Sequence, residues 1–164
     1  MRFSTVVCSM KMLAWTVCPY VSRDGRVNPD VRTLQDPGAI STFSQAILSI
    51  AVGYALGDKT PLSEKFANLM ETFFVNEATK MNPNVEFGQV VRGPNQSGLM
   101  GTFTGVLDLR GLVKVVNAVM IMEAKKSQHW TSDLASAFTS WAGEYLNWLI
   151  RSRVGKVAAT RPKY

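Results

Sequence analysis

Histidine and cysteine are the scarcest chemistry in this sequence, with one and two copies. A lone His129 excludes any zinc site that draws two histidines from the chain, and it leaves one candidate base for a nucleophilic triad. His129 lies in Ser-Gln-His-Trp-Thr, a short connection between two helix-patterned stretches, where local hydrogen bonding or capping suits it better than general-base work. Cys8 and Cys18 can form at most one disulfide, and neither has a metal-ligand spacing such as CxxC. Carboxylates are also few, 12 against 18 lysines and arginines, and no pair has the spacing of a glycosidase acid and base. No GxSxG, P-loop or dinucleotide fingerprint occurs. Gly98, Gly101 and Gly105 do not match a phosphate cradle, so no cofactor and no metal are implied. There is also no unbroken apolar run of the ~18 residues that a spanning helix needs.

The 164 residues suit one ordinary domain, and a chain that is 46% hydrophobic and 18% charged has enough apolar surface for a core. Net charge is +6 and the isoelectric point about 9.6, which favours a polyanionic partner. Nucleic acid, an anionic membrane surface and an acidic polysaccharide all meet that condition, as does charge that serves solubility alone. Neither a recognition-helix nor an RNP pattern supports nucleic acid. The first 18 residues carry an early Arg2 and an apolar middle, as a signal peptide would. Lys11 interrupts that middle, and no small-x-small cleavage site follows cleanly.

From Pro19 to Pro37 turn signals are dense (Asp24-Gly25, Asn28-Pro29, Asp36-Pro37), which predicts an extended segment holding Arg23, Arg26 and Arg32. Helical periodicity then begins. Ile40, Phe43, Ile47, Ile50 and Tyr54 share one face, with Asp36 to cap, Pro37 in the first turn and Gly57 to stop. Thr60 and Pro61 open a second helix whose stripe is Leu62, Phe66, Leu69 and Phe73. Only Gly57 to Lys59 separate the two, so an antiparallel pair is predicted. Leu112, Val115, Val116, Val119 and Met122 predict a third helix, ending at Lys125 and Lys126, where cations suit the dipole. A fourth, capped by Thr131, Ser132 or Asp133, carries Leu134, Phe138, Trp141, Tyr145, Trp148 and Leu149. The tail from Arg151 reads as basic. The fold class is therefore all-α, of stacked helical hairpins.

Between the second and third helices runs a long stretch, Thr79 to Arg110, rich in glycine, asparagine and proline. Met81, Val85, Phe87, Val90, Val91, Phe103, Val106 and Leu107 punctuate it, which predicts an ordered loop. Long ordered loops in compact domains usually carry function, and this one can form a ligand wall. Asn82 and Asn84, around Pro83, read as turn formers.

Three segments resemble the alginate lyase family, the polysaccharide lyases of α/α-toroid fold: PYVSRDGRVNPDVR at 19–32, MNPNVEFGQVVRGPNQSG at 81–98 and GTFTGVLDLRGLVKVVNA at 101–118. WTSDLASAFTSWAGEYLNWL at 130–149 resembles its following helix. The likeness is to the fungal branch and covers nearly everything from Pro19 to Pro162. It implies an incomplete α/α toroid of antiparallel helical hairpins, divided here into a divergent or weakly signal-like segment, 1–18, and a partial alginate-lyase-like domain, 19–164. It also implies a secreted location (periplasmic in bacterial members) and β-elimination on a uronic-acid polymer. In that reaction the uronate carboxylate is neutralised, a base takes the C5 proton and an acid protonates the leaving oxygen.

In the family an Asn-His pair and a Tyr do that work without a metal, the pair lying in an Asn-Asn-His motif after an Arg-Pro that matches Arg161-Pro162. Here Lys163 and Tyr164 follow instead, so the resemblance assigns no catalytic residue. Neither His129 nor Tyr164 matches one. The expectation is a chain truncated before the motif, weakly active or inactive. What the resemblance leaves is a substrate wall. Arg92 and Arg110 can pair with uronate carboxylates through their guanidinium forks, and Gln89 and Asn95 can bond sugar hydroxyls. Arg110 stands beside Asp108 and can equally form a structural ion pair. The alternatives are a catalytically silent acidic-polysaccharide-binding domain and a plain helical interaction module. A partial toroid also leaves apolar helix faces uncovered, which predicts self-association or poor solubility.

Overall fold

A computed structural model describes residues 35–57, 60–90 and 101–161. These residues form five α-helices and one 3-10 helix, with no strand among them. Helices α1 (Asp36–Gly57) and α2 (Thr60–Phe74) come first, then the 3-10 helix Phe103–Leu109. Helices α3 (Leu112–Ala124), α4 (Ser132–Arg151) and α5 (Arg153–Thr160) follow. Contacts fix the directions. Gly53 of α1 meets Leu62 near the start of α2, while Phe43 stacks on Phe73 near its end, the rings 4.0 Å apart. α1 and α2 are therefore antiparallel. α3 runs alongside α1 in the same direction, since Lys114 donates to Gln45 (2.7 Å) and Gly111 abuts Ser44. α4 runs with α2: Phe66 meets Trp130 edge-on at 5.4 Å, and Phe74 meets Trp141 at 4.6 Å. Two antiparallel hairpins thus stack side by side, as the helical periodicity predicts.

The core is where the four helices converge: Ile40, Ile47 and Ala51 from α1, Phe66, Met70 and Phe74 from α2, Val115, Ala118 and Met122 from α3, Phe138 and Trp141 from α4. Burying each of the larger side chains contributes about 2 kcal/mol. α1 has the length and hydropathy of a membrane span; Ile40, Phe43, Ile47, Ala51 and Tyr54 on one of its faces are buried in this core, whereas Val52 and Leu56 are exposed.

The buried face of α2 is Ser63, Phe66, Met70 and Phe74, rotated by about one residue from the predicted stripe. Leu62, Leu69 and Phe73 flank it, half-buried. Periodicity cannot distinguish two adjacent apolar ridges, and α2 carries both. On α3, Val116 is exposed whereas Ala118 is buried. The α1 cap is Gln35, whose carbonyl accepts from Ala39 N–H (2.9 Å), and Asp36 begins the helix proper.

Chain reversal between α3 and α4 is a Schellman closure. Ser127 N–H bonds to Met122 O (3.0 Å) and Lys126 N–H to Glu123 O (2.9 Å), with Lys126 left-handed at φ 50°. Ser127 and Ser63 are buried and hydrogen-bonded to each other (2.5 Å), and His129 Nδ1 lies 3.1 Å from the same Ser63 hydroxyl. This polar cluster fastens the turn to α2. Thr131 caps α4 by accepting from Leu134 N–H (3.3 Å).

The sequence pattern does not announce α5. It is short, and its apolar positions sit among glycine and basic residues. It begins at Ser152, whose backbone ends α4 and whose hydroxyl accepts from Gly155 N–H (2.9 Å). Gly155 is obligatory here, because a Cβ would collide with the Leu149 carbonyl.

Candidate functional site

The two described limbs of the loop, up to Val90 and from Gly101 onward, are joined backbone to backbone. Gly101 N–H bonds to Glu86 O (2.8 Å) and Thr102 N–H to Gly88 O (3.0 Å). They approach so closely that a Cβ on Gly105 would stand 2.6 Å from the Gly88 carbonyl carbon. Glycine is required on both sides of this crossing because backbone meets backbone, and neither limb has a side chain to move aside.

Helix α4 supports the crossing with tryptophan. A buried indole N–H needs an acceptor, and buried Trp141 donates from Nε1 to Met81 O (2.7 Å), while half-buried Trp148 donates from Nε1 to the exposed Glu86 carboxylate (3.0 Å). Tyr145 lies between them, its ring near-parallel to both at 5.9 and 6.2 Å. Burial pushes the Tyr145 phenol up to about 12. α5 closes the other side: Arg153 donates to Gly101 O (3.4 Å), and the Arg161 guanidinium lies 4.7 Å over the Phe103 ring.

On this framework Gln89 is half-buried with a left-handed backbone, φ 52°. Its Nε2 donates to both oxygens of Asp108 (3.0 and 3.3 Å). A non-glycine residue in that region is strained by about 1 kcal/mol, and the forked amide–carboxylate contact holds it there. Burial raises the Asp108 carboxyl above its ordinary value; Gln89's donation and the nearby Arg110 charge act in the opposite direction. Arg110, at the end of the 3-10 helix, is exposed. It makes no ion pair with Asp108, the one salt bridge among the described residues being Lys80–Glu77. The Arg110 guanidinium therefore faces solvent beside the Gln89–Asp108 pair. Arg92 and Asn95 lie outside the described residues, as do Cys8, Cys18 and the arginines at 23, 26 and 32.

Asn84 accepts from Glu86 N–H (3.2 Å), an Asx turn of the kind expected around Pro83. Among the described residues no three His, Cys, Asp or Glu side chains cluster closely enough to hold a metal. Glu86 and Arg153 did not stand out by pattern; Asp108 was read only as a neighbour of Arg110, and Arg161 only as part of the Arg-Pro match. The indole N–H groups were the available signal, since a tryptophan ladder on a helix facing a loop implies acceptors in that loop.

Stacked antiparallel helical hairpins with a long, pinned loop at one end define a helical-hairpin domain of the α/α type. The family model for alginate lyase matches residues 9–162. The chain belongs to the alginate lyase family. Its fold is similar to the crystal structure of an alginate lyase from Bacteroides ovatus, with a TM-score of 0.74 and 24% identity, over 84% of this chain and 35% of that one. At that identity the likeness establishes the fold, which fits an α/α toroid. The chain spans about a third of that relative's length, 35%. A comparison with curated proteins gives no match.

Proposed function

We propose that this chain is a fungal-type, secreted alginate-lyase-like domain that recognises a uronic-acid polymer along the wall of its 79–110 loop. Lyase activity in these 164 residues is weak or absent. The domain proper is taken as residues 19–164. Family membership supports the polyuronate. The Gln89 amide, the exposed Arg110 and, by resemblance, Arg92 and Asn95 supply the hydroxyl- and carboxylate-binding groups such a polymer needs.

One observation carries the catalytic half of the reading. The sole histidine is fastened to Ser63 beside the amino end of α4, whereas Glu86, three residues before Gln89 on the wall, is held by Trp148 near its carboxyl end. Sixteen residues of helix from Ser132 to Trp148 separate them by about 24 Å. Proton abstraction needs the base within hydrogen-bond reach of the substrate, so His129 is not the base for a polymer on the wall. The sequence contains no Asn-Asn-His.

The test is absorbance of the unsaturated uronate while the purified chain is incubated with alginate or glucuronan, with binding measured in parallel. Binding without new absorbance, weakened about tenfold by Gln89→Ala, is the expected result. A sustained rise in absorbance would overturn the catalytic part. Absence of binding to any polyuronate would overturn the reading altogether and leave a helical interaction module.

A further inference from the structure

Two arginines of α5 stand at the edge of the wall without a carboxylate partner among the described residues. Arg153 begins the helix and Arg161 follows its last residue, about 12 Å apart along the axis. Their side chains nevertheless converge on one short extended piece of loop. Arg153 reaches the carbonyl of Gly101, and Arg161 lies over the ring of Phe103. Thr102 between them is extended, with φ −103° and ψ 163°, so the Cα atoms of Gly101 and Phe103 are about 7 Å apart. Thr102 N–H is bonded to Gly88, the residue before Gln89. The α5 arginines thus border the same limb that carries the Gln89–Asp108 pair.

Both residues are exposed, and neither contact uses up its guanidinium. A guanidinium has five N–H donors. Gly101 O takes one from Arg153, and stacking on Phe103 leaves the in-plane donors of Arg161 unoccupied. Arg153 is also held from behind, where the Ser152 cap, the Gly155–Leu149 crossing and buried Val154 set the first turn of α5 against α4. A pair of oriented forks on a rigid support is the arrangement that binds successive carboxylates at low entropic cost.

We propose that Arg153 and Arg161 form a two-point carboxylate subsite that extends the loop wall over α5 and engages adjacent acidic sugars of a polyuronate. The proposal rests on the polyuronate reading above. It is tested by titrating the full chain with alginate oligosaccharides in a calorimeter, alongside R153Q/R161Q, R153K/R161K and the control K65Q/K125Q. The control removes the same charge at the opposite end of the helical stack, near the α1–α2 and α3–α4 turns. Melting temperatures of all variants report whether the wall stays folded.

Expected are a loss of roughly tenfold or more in affinity for R153Q/R161Q, a smaller but clear loss for R153K/R161K, and no more than about twofold for the control. Lysine can still reach Gly101 O and sit over Phe103, so R153K/R161K keeps the staple and loses only the fork. Weakened binding with an unchanged melting temperature in that variant supports the subsite. Wild-type affinity in both arginine variants overturns it and leaves the polyuronate reading standing. Full affinity in R153K/R161K, or an equal loss in the control, reduces the effect to net charge and also overturns it. If the unmodified chain binds no oligosaccharide, both readings fall together.

Discussion

The crossing of Gly88 and Gly105 gives the sharpest test of how the loop is held. A Cβ added at Gly105 would stand 2.6 Å from the Gly88 carbonyl carbon and 2.7 Å from its Cα, whereas carbon–carbon contacts are comfortable at roughly 3.5–4.0 Å. In Gly105→Ala the limbs must separate by about 1 Å. That lengthens Gly101 N–H to Glu86 O and Thr102 N–H to Gly88 O, now 2.8 and 3.0 Å. Overpacking costs ~1–3 kcal/mol, and each weakened hydrogen bond adds up to about 1 kcal/mol, so a destabilisation of about 3 kcal/mol is expected. For a chain of this size that lowers the melting temperature by ~6–12 °C. Gly143→Ala is the internal comparison: it lies in α4, a Cβ there meets nothing within 4 Å, and removing a mid-helix glycine stabilises by about 1 kcal/mol. Urea unfolding of both variants, followed by tryptophan emission to sense Trp148, separates the cases. A Gly105→Ala protein as stable as the parent, with unchanged emission, would refute the close crossing.

Lys126→Gly places glycine at the left-handed end of α3, and a gain of about 1 kcal/mol in urea unfolding is expected; a loss would show that the lysine side chain matters more than its backbone. Ser63→Ala leaves the buried Ser127 hydroxyl without its partner and releases His129, so a loss of about 1–3 kcal/mol is expected, with an unchanged urea midpoint as the contrary result. Tyr145 is raised from 10.0 to about 12, so the folded phenol keeps its proton in a range where the unfolded one loses it. Its contribution is intact below pH 10 and declines as the pH climbs from 10 towards 12. Phenolate absorbance should show one tyrosine ionising later than the ordinary value until the chain unfolds, and a Tyr145→Phe protein should lack that late step.

The four principal helices were legible because their apolar residues recur at three and four positions, and such a pattern has one economical solution, a shared core. The rotation of α2 was not legible: Phe73 and Phe74 are both large and apolar, and only packing against Trp141 and Phe138 decides that Phe74 is buried. α5 was hidden because eight residues with a glycine among them carry too few turns to show a period. Its existence depends on the tertiary contact between Gly155 and Leu149. In the site, Gln89 stood out as a polar side chain in a functional-looking loop, but its carboxylate partner is nineteen residues away in sequence. Local pattern paired Asp108 with Arg110, two residues on. The two form no ion pair, although the Arg110 charge still acts on the Asp108 carboxyl.

Recognition and chemistry make different structural demands, and on the proposed reading this chain meets them unequally. Holding an acidic polymer requires oriented donors on a rigid edge. Here rigidity comes from two backbone hydrogen bonds across the loop, two indole donors from α4 and the α5 arginines. Apart from the Trp141 indole, midway along α4, these lie at the end of the hairpin stack opposite the α3–α4 turn. Elimination additionally requires a base poised at the C5 proton, and the only imidazole is engaged at the far end of α4 in fastening that turn to α2. A substitution at His129 therefore acts on the stability of the turn and not on the wall, while changes at Gln89 or Arg110 act on the wall and leave the helical core intact. On the proposed reading the two sets of residues are separated by most of the length of a helix, so recognition and chemistry are tested by independent substitutions.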